Sequence, residues 1–437
     1  MSENNFFNKQ ENKPMKKKSA FIKLITPLLF ITLLFQACEP GDLPNADNTK
    51  NDRERWSYDF STVMAASLYN QVPAIDESGN IYLIADVQSG SDIIKLSSDG
   101  AEQWVKSEND YPMSRIIYHA NKLYYINNQM LICRDASNGE KIWETEVSGA
   151  QSIFALNDSK IFVTRFVDDG LLGSNHLMAY NSDGTLVWET KIKYSETDTI
   201  SYANAMSVNG NNIYVGVLAE VGNAEFAIIN YTDEGDYVSK SWTWLAPESF
   251  SVGGGSPRIK DFAIDDNGNL IFGMEKSGTE YVFSVNPSGT DNWNAVSNLP
   301  KLISNVSVDG DGNCYVAYDR CEKVNNNGVI WTSTTKTDWD YESLFSKSPV
   351  IDNNGNLYYV DLSTMLTAVS PQGDSLWSQY YGCNLCNNEF HNITINRNGD
   401  IIVISKAGVT AFKGEGVGLS EKGWPKVFGN YGNTASK

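Results

Sequence analysis

The sequence predicts an all-β fold, a β-propeller of eight blades, each a four-stranded antiparallel sheet, with seven as the alternative count. Three observations lead there. Short β-rich runs are separated by Asn/Asp/Gly turns, whose residues tolerate positive φ. The turn-plus-strand unit recurs along most of the chain. Tryptophans close the units at a steady interval: Trp104, Trp143, Trp188, Trp242, Trp293, Trp331, Trp377 and Trp424. From Trp104 to Trp424 is 320 residues over seven intervals, about 46 per unit. That period belongs to propeller blades and solenoids. Units built only of strands, each too small to bury its own face, favour radial closure.

The clearest unit is 348–380. Pro349 to Ile351 is extended and apolar, and a turn follows at Asp352-Asn353-Asn354-Gly355-Asn356. Leu357 to Val360 and Thr367 to Val369 are the next strands, and a turn at Gly373 leads to Trp377. The turn-plus-strand half recurs at Asp76 to Tyr82, Asp265 to Ile271 and Asp309 to Tyr315. A Gly precedes the closing Trp by four residues at Gly100, Gly139, Gly184, Gly289 and Gly373. The unit ending at Trp242 is irregular and is the one whose loss would leave seven blades. Trp56-Ser57-Tyr58-Asp59-Phe60 reads as a closing strand with no blade before it, a position that Trp424 also claims.

Cys133-Arg134-Asp135-Ala136-Ser137-Asn138-Gly139-Glu140-Lys141-Ile142-Trp143 resembles the tryptophan-docking motif of quinoprotein-like propellers. In that family the outer-strand Trp packs on the neighbouring blade and locks the ring. The resemblance covers roughly 56–428, and its recurrence speaks for the fold more than for any bound ligand.

Lys16-Lys17-Lys18 precede an apolar run from Leu24 to Phe35, which ends Phe35-Gln36-Ala37-Cys38. This pattern reads as a secretory signal over 1–37, too short to span a membrane. The Cys after a small residue resembles a bacterial lipobox, making Cys38 the expected lipidation site. Met15 is an alternative start. Residues 38–55 have the composition of a flexible tether, leaving 56–437 as one propeller domain. The expected location is the bacterial cell envelope, as an outer-membrane lipoprotein touching the membrane only through its anchor.

The net charge is −19. Without residues 1–37, the 34 Lys/Arg lose six and the 53 Asp/Glu lose two, leaving 28 against 51, a net −23. A field of that sign repels phosphate backbones and argues against a nucleic-acid partner.

The acidic turns invite a calcium reading, because Asp309-x-Asp311-x-Asn313 copies the first half of an EF-hand loop. The bidentate Glu required at the twelfth position is missing, since Arg320 stands there. The turns read instead as hairpins whose Asp and Asn side chains bond the local backbone, and no metal site is assigned. Cys383 and Cys386 read as a local disulfide, with Cys314 and Cys321 as a second pair across successive strands. Cys133 reads as a small buried hydrophobe.

No catalytic residue is assigned. His119, His176 and His391 fall in separate units, and no nucleophile elbow, H-E-x-x-H or P-loop occurs. The loop Gly253-Gly254-Gly255-Ser256-Pro257-Arg258 lacks the strand-to-helix context of a phosphate site and reads as a face loop.

The resemblance implies two functions of different class. Quinoprotein dehydrogenases hold pyrroloquinoline quinone (PQQ) with calcium over the channel, but the vicinal Cys-Cys of their best-known branch is missing here. The lipid-anchored BamB-like propellers of the outer-membrane β-barrel assembly machinery are non-enzymatic scaffolds that engage partners through face loops. Length, lipobox and catalytic poverty fit the second better, so the expected partner is a protein bound through the face loops. A glycan is the other candidate, through Trp244, Trp339, Tyr341, Tyr380 and Tyr381; ordinary inter-blade packing is the preferred account of those aromatics.

Overall fold

The structure is a computed structural model and describes residues 52–60, 72–87, 90–110, 114–168, 173–193, 201–221, 223–247, 261–276, 279–298, 305–317, 320–333, 349–360, 365–380, 392–405 and 408–437. Among these residues every regular element is a strand, and the strands form eight four-stranded antiparallel sheets. Seven are meanders in chain order: 74–108, 117–146, 150–191, 201–245, 263–296, 307–332 and 350–380, blades 1 to 7. Blade 8 takes three strands from 392–413 and its fourth from the other end of the chain, Glu54–Asp59. There Trp56 pairs with Ala411 and Tyr58 with Val409.

The count is therefore eight. The unit ending at Trp242 is a complete sheet, and its two middle strands, Asn212–Val221 and Asn223–Asp233, run to 10 and 11 residues. Their length, not a missing strand, makes the repeat look irregular there. Closure is also settled: the Trp56 strand is the outer strand of blade 8, and it begins at Glu54, inside the stretch expected as tether.

Burial follows position within each blade. The second strands Lys122–Asn127 and Leu357–Val360 are buried almost throughout, because a neighbouring blade covers each face. Their sequences are accordingly continuous apolar runs. The outer strands Glu54–Asp59, Lys141–Glu146 and Ser375–Tyr380 alternate between exposed and half-buried residues, with one face packed. The core is a series of layers between blades. Tyr82 and Ile93 of blade 1 pack with Leu123 and Ile132 of blade 2, and Leu83 and Ile94 pack on the other side with Ile402 and Val409 of blade 8. Each blade buries its faces against its neighbours, as stacked repeats do.

Candidate functional site

Three repeats build the same local device. In the turn at Asp352, Oδ1 accepts the N–H groups of Asn354 and Asn356, both at 2.9 Å. Oδ2 accepts Asn356 Nδ2 at 2.9 Å and the Tyr358 hydroxyl at 2.8 Å. Asp76 does the same with Tyr82 at 2.8 Å, and Asp309 with Tyr315 at 2.7 Å. These carboxylates are occupied by their own turns. The burial and the adjacent carboxylate push these tyrosines above their ordinary range. Each tyrosine ring then meets the Trp of its own blade, with centroids 6.0 Å apart in Tyr358–Trp377 and 6.1 Å apart in Tyr82–Trp104.

Trp104, Trp143, Trp188, Trp242, Trp293, Trp331 and Trp377 all lie on the outer strands of blades 1 to 7. All but Trp293 are seen to reach the next blade with their indoles. Nε1 donates to a carbonyl there in Trp143 (Ser182, 3.1 Å), Trp242 (Pro287, 3.0 Å) and Trp331 (Pro371, 3.2 Å). Trp188 donates instead to Asp233 at 3.0 Å, and that carboxylate also holds the buried Lys160 ammonium at 2.7 Å.

Trp424 is a correction. It lies on no blade's outer strand, and the eighth docking position belongs to Trp56, whose Nε1 donates to Ser98 O at 3.2 Å. Trp424 sits in the C-terminal segment and is 1% exposed. That segment runs from blade 8 across the inner ends of the other blades. Its carbonyls accept N–H groups from the innermost strands: Tyr431 from Ile75 (2.8 Å), Gly432 from Tyr118 (2.9 Å), Thr434 from Leu156 (2.9 Å), Ala435 from Val208 (2.8 Å), Trp424 from Val308 (2.8 Å) and Pro425 from Ile351 (2.9 Å). Six blades thus contribute to one segment, which itself winds through turns such as Gly429 N–H to Lys426 O. All six donors are the last or next-to-last residues of their strands, so the segment fills the channel at the end carrying the Asp turns.

Charged groups that sequence reasoning passed over converge under this segment. Asp261, at the entry to blade 5, accepts Trp424 Nε1 at 2.9 Å and the Phe428 N–H at 2.6 Å. Arg115, at the entry to blade 2, donates to Asn433 O at 2.9 Å and lies 3.8 Å over the Phe428 ring. Lys426 Nζ donates to Val427 O and Asn430 O, both at 3.1 Å, and to Asn433 Oδ1. Burial raises the Asp261 carboxyl, opposed by the donors from Phe428 and Trp424. Burial pushes the Lys426 ammonium down to about 7, opposed by Asp261. No sequence motif announces these residues, because the entries to blades 2 and 5 and the C-terminal segment, far apart in the chain, supply them. Above the segment is an open depression of about 560 Å³, bordered by Asp158, Asn211, Arg397, Glu421, Tyr431 and Lys437.

The Cys314–Cys321 pairing is overturned. Cys314 stands opposite Val324 and Cys321 opposite Ala317, and both thiols are free. They point to opposite faces of blade 6, Cys314 toward the layer shared with blade 5 and Cys321 toward blade 7. Cys133 is free and fully buried, and burial pushes its thiol up to about 11. Cys38, Cys383, Cys386, Trp339, Tyr341, Tyr381, His391 and the Gly253–Gly255 loop lie outside the described residues. Trp244 is 5% exposed and donates to Asp291 at 2.6 Å, so it is an inter-blade contact.

Among the described residues one polar cluster resembles a nucleophile beside a base. Ser174 Oγ lies 3.1 Å from His176 Nε2, and His176 Nδ1 lies 2.6 Å from Glu189 Oε1. That second contact has ion-pair distance without hydrogen-bond alignment, and Arg165 already holds Glu189 at 2.6 Å. The orienting hydrogen bond that nucleophilic catalysis needs is not formed.

A family model described as outer membrane protein assembly factor BamB matches residues 89–223. No curated protein matches the chain. Among solved structures, apo AztD from Citrobacter koseri is 11% identical with a TM-score of 0.50, covering 79% of this chain and 90% of that one. The quinohemoprotein alcohol dehydrogenase ADHIIG from Pseudomonas putida HK5 is 10% identical with a TM-score of 0.51, covering 84% of this chain and 77% of that one. At such identities the likeness concerns the fold. The matched segment and the ring around it make this chain a PQQ-repeat β-propeller.

Proposed function

We propose that the protein is a lipid-anchored propeller of the bacterial cell envelope, acting as a non-enzymatic binding or scaffold module. The observation that carries this reading is the occupied channel. Trp424, Phe428 and Asn433 fill the axis at the turn end, and the charged groups there, Arg115, Asp261 and Lys426, are engaged with the C-terminal segment. Residues so engaged do not fit a quinone and its calcium at that end. The match to the BamB family model over 89–223 supports a scaffold role, and outer-membrane protein assembly is the process it suggests. The Lys16–Lys18 and Leu24–Phe35 pattern before Cys38 supports export and anchoring.

The test has two arms. Cys38→Ser is expected to move the protein from the membrane fraction to the soluble one. Crosslinking in intact cells is expected to capture a protein partner in fixed stoichiometry. Substrate-dependent dye reduction by the purified protein with added quinone and calcium would contradict the reading.

A further inference from the structure

We propose that the turn-side mouth of the channel is a peptide-recognition site whose resident ligand is the chain's own C-terminal segment, 418–437. The inference rests on the reading of the protein as a binding module and names what one of its surfaces binds.

The segment has no sheet or helix of its own. Its regular contacts are isolated bridges to the body, at Asp352–Leu419, Val308–Trp424 and Val208–Ser436. The body supplies what a peptide groove supplies: main-chain donors for affinity and side-chain pockets for selection. The six inner-strand N–H groups described above are the donors. Trp424 is selected by Asp261, and Phe428 by the Arg115 guanidinium. Asn433 Nδ2 donates to Val72 O at 2.7 Å and to Ile116 O at 3.2 Å, joining blades 1 and 2. The last residue is read twice, through its N–H to Val208 O at 3.0 Å and its ammonium to Asp266. Without a segment, the inner-strand donors and the buried Asp261 and Arg115 would lose these partners, which buried polar groups rarely tolerate. The ligand class is therefore a turn-forming peptide carrying two aromatic residues around a lysine, as in Trp424-Pro425-Lys426-Val427-Phe428, where Gly429 N–H closes a turn on Lys426 O.

The connection to blade 8 suits a tethered ligand. Gly414-Glu415-Gly416-Val417-Gly418 contains three glycines, and Val417 is 69% exposed. A protease site inserted at Val417 in the full chain allows folding first and cutting afterwards. The cut segment is expected to stay with the propeller on gel filtration, and an excess of labelled synthetic peptide 418–437 to replace it. A peptide carrying Trp424→Ala is expected to compete about tenfold or more weakly, as for a buried aromatic anchor. Two results overturn the proposal. In one, the segment leaves on cutting and no peptide rebinds, while the propeller keeps its melting transition. In the other, the cut chain unfolds, which makes the segment core rather than ligand. Neither result bears on a partner bound through the face loops, which crosslinking tests separately.

Discussion

Gly139 of blade 2 lies against the indole of Trp104 in blade 1, where a Cβ would meet Cε3 at 2.9 Å. Gly184 stands in the same relation to Trp143 at 2.8 Å, and Gly373 to Trp331 at 2.8 Å. Gly289 meets Trp242 in the same way, and Gly100 receives Trp56, so the relation also spans the join between the two ends of the chain. In these five blades the glycine four residues before the tryptophan therefore serves the preceding blade's tryptophan.

Gly139→Ala is expected to destabilise the fold by about 2–5 kcal/mol. Left-handed backbone at φ +75° accounts for roughly 1–2 of this, and overpacking against Trp104 for about 1–3. Gly328→Ala is the control: φ is +95° but nothing lies within 4 Å of its Cβ. It is expected to lose only the backbone part, roughly 1–2 kcal/mol. Denaturant midpoints of the two variants check the difference.

Asp233→Ala removes the partner of the buried Lys160 ammonium and the acceptor of Trp188 Nε1. An uncompensated buried charge is expected to lower stability by about 3–5 kcal/mol. Lys160→Met combined with Asp233→Leu is expected to recover a large part of it. A double-mutant cycle in urea gives the coupling energy.

Cys314 and Cys321 are expected to resist a thiol reagent in the native protein and to react fully in denaturant. Burial raises both thiols and keeps them protonated. Mass spectrometry of the non-reduced, alkylated chain checks that both remain thiols. A disulfide between them would contradict the strand register.

Lys426 links the C-terminal segment to pH. Its folded value of about 7 lies below the ordinary 10.5, so folding releases a proton between those two values. Below pH 7 both states carry the proton and the burial penalty is fully present. As pH rises from about 7 toward 10.5 the penalty fades, and stability rises. Lys426→Met is expected to lack this rise. Melting of the two proteins at matched ionic strength, from pH 7 to 10, checks the slope.

Much of the fold is legible because its signals are local. An Asp that bonds its own turn and a tyrosine six residues on, as at Asp352 and Tyr358, is written in a single stretch of chain. The recurrence of such stretches reveals blade after blade. Contacts between distant segments are not written that way. Trp424 follows Trp377 at almost the repeat interval, so spacing alone mistakes it for a docking residue. Its real partner, Asp261, comes from blade 5. Cys314 and Cys321 sit on adjacent strands, but only the register of Cys321 with Ala317 shows that they face opposite ways. The meeting of Arg115, Asp261 and Lys426 depends on how the ring closes, which no periodicity encodes.

The most direct test is native-state hydrogen exchange at Ile75, Tyr118, Leu156, Val208, Val308 and Ile351, whose N–H groups donate to the C-terminal segment. Protection approaching that of global unfolding at all six, lost together when the segment is cut and washed out, is the predicted result. Exchange at these amides as fast as in exposed turns, with the middle strands still protected, would contradict an occupied channel.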